Sequence, residues 1–175
     1  MNRAFLLKNF RKLNFEEKTI FAANFFSAIF CFFPWLSVVP AYGDAFFFNA
    51  FLVPSFLIGV LIFLISAAIS AIFFDKIAAT KKIKLPFSEK NFLAVATVEQ
   101  IIFLILGWSV LFSAGKDFKN SEIGFGFFIV FALQIASSVA VFLDLKNESR
   151  KKAQNFMNFT DEKNAEKNLT EKNEK

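Results

Sequence analysis

Residues 92–114 read FLAVATVEQIIFLILGWSVLFSA, an apolar run interrupted only by Thr97 and by the adjacent pair Glu99 and Gln100 before its outer end. As a helix rising ~1.5 Å per residue it is long enough for the ~30 Å hydrocarbon core of a bilayer. Moving outward in both directions, three more stretches of similar length and character appear, at 19–38, 55–74 and 124–143. Four such runs predict an all-α, polytopic membrane protein with four transmembrane helices in an antiparallel bundle.

Composition agrees with lipid as the main solvent. Of 175 residues, 55% are hydrophobic, and the mean hydropathy is +0.48, well above that of an ordinary soluble domain. Phenylalanine is extreme at 29 residues, a bias that AT-rich codons produce as readily as lipid-facing packing does. The spans need about half of the chain, which leaves little for a separate globular domain, so three regions are expected: a basic amphipathic segment at 1–18, a membrane domain at 19–145 and a polar tail at 146–175. In the first region Leu6, Phe10 and Leu13 share one helical face. The Asn-, Lys- and Glu-rich tail has few apolar residues and is expected to be disordered.

Charge orients the spans. Segment 1–18 carries Arg3, Lys8, Arg11, Lys12 and Lys18, and segment 75–91 carries Lys76, Lys81, Lys82, Lys84 and Lys90. After the last span come Lys146, Arg150, Lys151 and Lys152, whereas segment 39–54 has no Lys or Arg. Basic segments stay on the cytoplasmic side, which predicts both termini there and a cell (inner) membrane location. Arg11, Lys12, Lys81, Lys82, Lys84, Arg150, Lys151 and Lys152 are then candidate contacts for anionic lipid headgroups. That role accounts for the net charge of +5 without a nucleic-acid partner. Trp35 and Trp108 fall at the outer ends of their spans and are expected to anchor the interface, with each indole N–H reaching water. The aromatic segment 45–51 is too apolar for a free loop and should pack on the helix ends.

Candidate chemistry is sparse. The chain has no histidine and one cysteine, Cys31, so no metal-ligand spacing, cofactor motif or Ser–His pair is present in the sequence. Cofactors and metals are expected to be none, and the chain is not expected to be an enzyme. Counting rise per residue from the basic side, and allowing for alternating direction, Glu99 lies ~12 Å in. Asn24, Ser66, Ser70, Gln100, Gln134 and Ser138 come out near the same depth, as do Ser27 and Ser137. The expectation is a polar layer centred on Glu99. Three roles remain open for that carboxyl: hydrogen-bonded glue between helices, contact with a partner protein, or a protonatable transport site. Small-xxx-small pairs, Ser66/Ser70 and Ala67/Ala71, let helix backbones approach closely within the bundle or in a second protomer.

Residues 13–18, LNFEEK, followed by an apolar span closing on Phe33-Pro34-Trp35-Leu36-Ser37, resemble the start of many small uncharacterised bacterial inner-membrane proteins. In these a first helix ends in Pro-Trp, and a short aromatic loop and three more helices follow. The resemblance covers about residues 13–75 and implies a bacterial inner-membrane location. The functional expectation is a structural or accessory membrane component that packs with itself, as a homo-oligomer, or with a membrane-protein partner. The alternative is a small proton-coupled transporter or channel using Glu99.

Overall fold

The computed structural model describes residues 3–40, 44–78, 88–116 and 120–173. It is mostly helical, with helices α1 (Arg3–Lys12), α2 (Phe15–Phe30), α3 (Phe56–Ala78), α4 (Glu89–Lys116) and α5 (Phe125–Asn173), and short strands β1 (Pro34–Val38), β2 (Phe46–Asn49) and β3 (Ser121–Ile123). Among the described residues, three helical segments are long and apolar enough to cross a membrane: Phe56–Ala78, Glu89–Lys116 and Phe125–Lys151.

The first predicted span departs from this pattern. Its helix, α2, ends at Phe30 after 16 residues, or ~24 Å, short of the ~30 Å hydrocarbon core. Pro34 is the physical cause: it lacks the N–H that would continue the helical ladder, and it disfavours helical geometry at Phe33. The chain leaves the helix through a tight turn, in which the Phe32 and Phe33 amides donate to the Ile29 and Phe30 carbonyls at 3.1 and 3.2 Å. It then becomes extended. Residues 34–38, expected to finish a transmembrane helix, instead form the central strand of an antiparallel sheet ordered β2-β1-β3. Leu36 faces Phe48 on one side and Ile123 on the other. The aromatic segment expected to pack on the helix ends supplies β2.

Helix ends follow from local chemistry. At the start of α2 the Glu17 carboxylate accepts the Asn14 backbone N–H at 3.0 Å, and at the start of α4 the Ser88 hydroxyl accepts the Asn91 N–H at 3.3 Å. Helices α2 and α3 meet at both ends. Lys76 bridges Glu17 and Glu89 at one end, so that α2, α3 and α4 share an ion cluster. At the other end the Ala50 N–H donates to the Cys31 carbonyl at 3.1 Å, and Phe32 packs on Phe63. Gly59 is required there, because a Cβ on it would run into the Ala50 carbonyl. Gly124 plays the same part for α5, bringing its start against the Pro34 carbonyl and donating its N–H to the Trp35 carbonyl at 2.8 Å.

The hydrophobic core lies beside the sheet, where Cys31, Trp35, Leu36, Ala50, Ile62, Leu104, Leu111 and Phe127 pack together. Trp35 corrects an expectation. It is not an interface anchor but fully buried, with its ring edge-on to Phe127 at 5.2 Å and its N–H donating to the Phe30 carbonyl at 3.4 Å. The register between β1 and β2 shifts across Pro34 and Leu36, making Trp35 the extra residue of an irregularity, the feature by which sheets re-aim a side chain.

By internal contacts the chain divides into two units, Met1–Val141 and Phe142–Lys175. The second is helical as far as Asn173, where a disordered tail was expected. No Gly or Pro occurs after Gly126 to interrupt a helix, and its abundant Lys and Glu are good helix formers, so low apolar content alone was a poor guide.

Candidate functional site

The most concentrated polar chemistry inside the fold is a cluster to which four helices contribute. Asn24 on α2 is its hub. Its Nδ2 donates to the Ile20 carbonyl at 2.9 Å on its own helix and to Ser137 Oγ on α5 at 3.0 Å. Its Oδ1 accepts from Gln100 Nε2 on α4 at 3.3 Å and from Gln134 Nε2 on α5 at 3.4 Å. Gln100 also donates to Ser66 Oγ on α3 at 2.7 Å, and Gln134 to Ser27 Oγ on α2 at 3.0 Å. Asn24, Ser27, Ser66, Gln100, Gln134 and Ser137 are all fully buried.

Each polar side chain belongs to the buried face of its helix. On α4 the buried positions are Leu93, Ala96, Thr97, Gln100, Leu104, Gly107 and Leu111, spaced three or four apart on one face. Thr97 satisfies its hydroxyl on its own helix, donating to the Leu93 carbonyl at 2.7 Å. Two acceptors in the cluster, Gln100 Oε1 and Gln134 Oε1, are buried without a donor. Amides and hydroxyls keep their charge state across physiological pH, so the cluster exchanges hydrogen bonds, not protons.

The expected layer is therefore present in composition but not in arrangement. Asn24, Ser66, Gln100 and Gln134 come together. Glu99, expected at the centre, is exposed on the outer face of α4 beside Val95, Val98 and Ile102. Successive helical residues are ~100° apart, and Gln100 takes the inward direction, so its neighbour cannot. Ser138 also stays outside the cluster, turning its hydroxyl back to the Gln134 carbonyl at 2.7 Å; Ser137 is the residue that points in. Ser70 lies elsewhere, with its hydroxyl oxygen buried and unpaired. Ser27 and Ser137 complete the site. The signal that identifies them is their three-residue spacing from Asn24 and Gln134, which puts each pair on one helical face.

The remaining candidates fall at the periphery. Trp108 is 41% exposed and packs against Phe127 and Phe128. Arg11 and Lys12 are exposed at the end of α1, and Arg150 and Lys151 are exposed on α5. Lys152 lies on α5 with its side chain outside the described residues, as are Lys81, Lys82 and Lys84 altogether. Among the described residues no group of three or more His, Cys, Asp or Glu side chains could hold a metal ion. No protein-family model matches the sequence, and neither a curated protein nor a solved structure matches it.

Proposed function

We propose that this protein is a non-enzymatic, structural or accessory component of the bacterial inner membrane, which docks a partner membrane protein or a second copy of itself through the outer face of α4. One observation carries the reading: Glu99 is exposed among exposed Val95, Val98 and Ile102, well inside a helix long and apolar enough to span a bilayer. A carboxyl group facing hydrocarbon costs several kcal/mol unless it is protonated or paired. A partner helix offering a basic or hydrogen-bonding side chain at that depth relieves the cost. The buried cluster supports the same reading from the other direction, since it ties the helices together with neutral hydrogen bonds and leaves Glu99 to face outward.

In this proposal α2 with its strand extension counts as the fourth pass of an antiparallel bundle, and both termini are cytoplasmic. The proton-coupled alternative draws less support, because Glu99 is not among the groups that meet inside the helices. The test is a photo-crosslinking residue at Val98 or Ile102, activated in native membranes. One discrete protein adduct is expected, retained in Glu99→Gln and lost in Glu99→Leu. Crosslinking to lipid alone would overturn the reading. Labelling Tyr42→Cys from outside the cell, with Ser88→Cys protected, checks the topology.

A further inference from the structure

Helix α1 is fixed to the rest of the fold through Asn9 and Phe10. Asn9 Nδ2 donates to the Ile77 carbonyl at 3.0 Å, one of the carbonyls that the end of α3 leaves without an intrahelical donor. Phe10 packs edge-on against Phe21 of α2 at 6.4 Å. The Lys18 ammonium lies over the Phe10 ring at 5.8 Å and donates to the Arg11 carbonyl at 3.4 Å, which closes the end of α1. Asn9, Phe10 and Leu13 are half-buried by these contacts. The side of the helix on which Phe10 and Leu13 fall is therefore occupied by the protein itself and is not free to enter lipid.

The opposite side is cationic. At ~100° per residue, Lys8, Arg11 and Lys12 turn away from Asn9 and Leu13. All three are exposed, with Leu7, 61% exposed, at their edge. Residues 1–15 contain no Asp or Glu, so α1 supplies no counter-charge of its own.

Depth identifies the counter-charge. The apolar run of α3 ends at Phe74, and Ile77 lies three residues, ~4.5 Å, beyond it. It is one residue past Lys76 and the ion pairs to Glu17 and Glu89. In a bilayer the headgroup zone adds about 5–7 Å beyond the hydrocarbon on each side. The bond from Asn9 to Ile77 thus holds α1 level with the lipid phosphates. Phe21, on which α1 packs, stacks in turn on Phe25, which is 46% exposed within the apolar run of α2. This puts α1 on the lipid-facing flank of α2.

We infer that the outer face of α1 is a binding surface for anionic phospholipid headgroups, with Lys8, Arg11 and Lys12 meeting their phosphates. A choline or ethanolamine ammonium finds no acidic partner on this face, so lipids of net negative charge are preferred over zwitterionic ones. The contact is made by charge and not by apolar insertion, which makes it sensitive to salt. The inference rests on the chain spanning a membrane but not on a partner at Glu99.

The test places a fluorescent dye at Leu7→Cys in the full-length protein, reconstituted in phosphatidylcholine vesicles; the buried Cys31 stays unlabelled. Lipids with a nitroxide quencher high on the acyl chain are added at equal mole fraction, with either a phosphatidylglycerol or a phosphatidylcholine headgroup. Quenching should favour the phosphatidylglycerol probe by ~5-fold or more, since each basic residue at an anionic surface contributes about a factor of five. In ~1 M NaCl the preference should fall below ~2-fold. Lys8→Gln, Arg11→Gln and Lys12→Gln together should abolish it, whereas Lys116→Gln, at the other end of α4, should leave it unchanged. The salt arm uses the unaltered basic residues, so the test holds even if the triple variant fails to fold. Equal quenching by the two probes, or a preference that survives salt or the triple variant, would overturn the inference. So would a dye in native membranes that neither lipid probe nor soluble acrylamide can quench, because a protein would then cover α1. None of these outcomes depends on whether Glu99→Leu loses its protein adduct.

Discussion

Replacing Asn24 with leucine tests whether the buried cluster holds the helices together. The two side chains are close in size, so the change removes polarity with little change in packing volume. Three interhelical contacts disappear, those to Ser137, Gln100 and Gln134 at 3.0, 3.3 and 3.4 Å. Gln100 Nε2 keeps Ser66 and Gln134 Nε2 keeps Ser27, so each amide nitrogen retains an acceptor. At an average of ~0.6 kcal/mol per interhelical hydrogen bond in a membrane protein, the loss is about 2 kcal/mol, or roughly 30-fold in the unfolding equilibrium. Cys31 supplies the assay. It is the single cysteine and fully buried, so a thiol-reactive dye reports its exposure as detergent or heat opens the fold. Ser137→Ala combined with Asn24→Leu isolates one bond, with an expected coupling of ~0.6 kcal/mol. Glu99→Gln, outside the cluster, should leave the transition within ~0.5 kcal/mol of the parent. If Asn24→Leu were as stable as the parent, or if Glu99→Gln were the more damaging change, the assignment of the cluster as interhelical glue would fail.

Other changes probe the sheet end and the ion cluster. Gly59→Ala sets a methyl group against the Ala50 carbonyl and should cost ~1–3 kcal/mol in the same dye assay, whereas Gly107, whose added Cβ would meet only ordinary contacts from 3.4 Å outward, should tolerate alanine better. Trp35→Ala empties a fully buried site and should cost ~3–5 kcal/mol; emission from the retained Trp108 would show whether the remainder stays folded. Lys76→Gln breaks the links to Glu17 and Glu89, but these side chains are partly exposed, so the effect should stay below ~1 kcal/mol and shrink in high salt.

Much of this architecture can be read from the chain, and the limits have definite physical sources. The stretches at 55–74, 92–114 and 124–143 announce their helices because lipid demands continuous apolar length. Rise per residue was enough to bring Asn24, Ser66, Gln100 and Gln134 to one depth. It could not say which of Glu99 and Gln100 faces inward. In water a helix separates an apolar face from a polar one, but in lipid both faces are apolar, and the hydrophobic pattern around Glu99 carries little angular information. The small residues Ala96 and Gly107, which share a face with Gln100, are the better indicator. The strand at 34–38 was hidden for another reason. Pro34-Trp35-Leu36-Ser37-Val38 reads as the end of an apolar run, and what makes it extended is pairing with residues far along the sequence.

That pairing bears on how the molecule is assembled. As the central strand, β1 has β2 on one edge and β3 on the other, and β3 follows it by roughly 80 residues, after α3 and α4 have been made. Until Ser121–Ile123 emerges, β1 presents one row of backbone donors and acceptors with no mate. The sheet thus acts as a latch that only β3, the strand leading into the last helix, can close. A chain truncated before β3 would keep the apolar length to enter a membrane yet carry an open strand edge, the kind of surface by which incomplete membrane proteins adhere to one another.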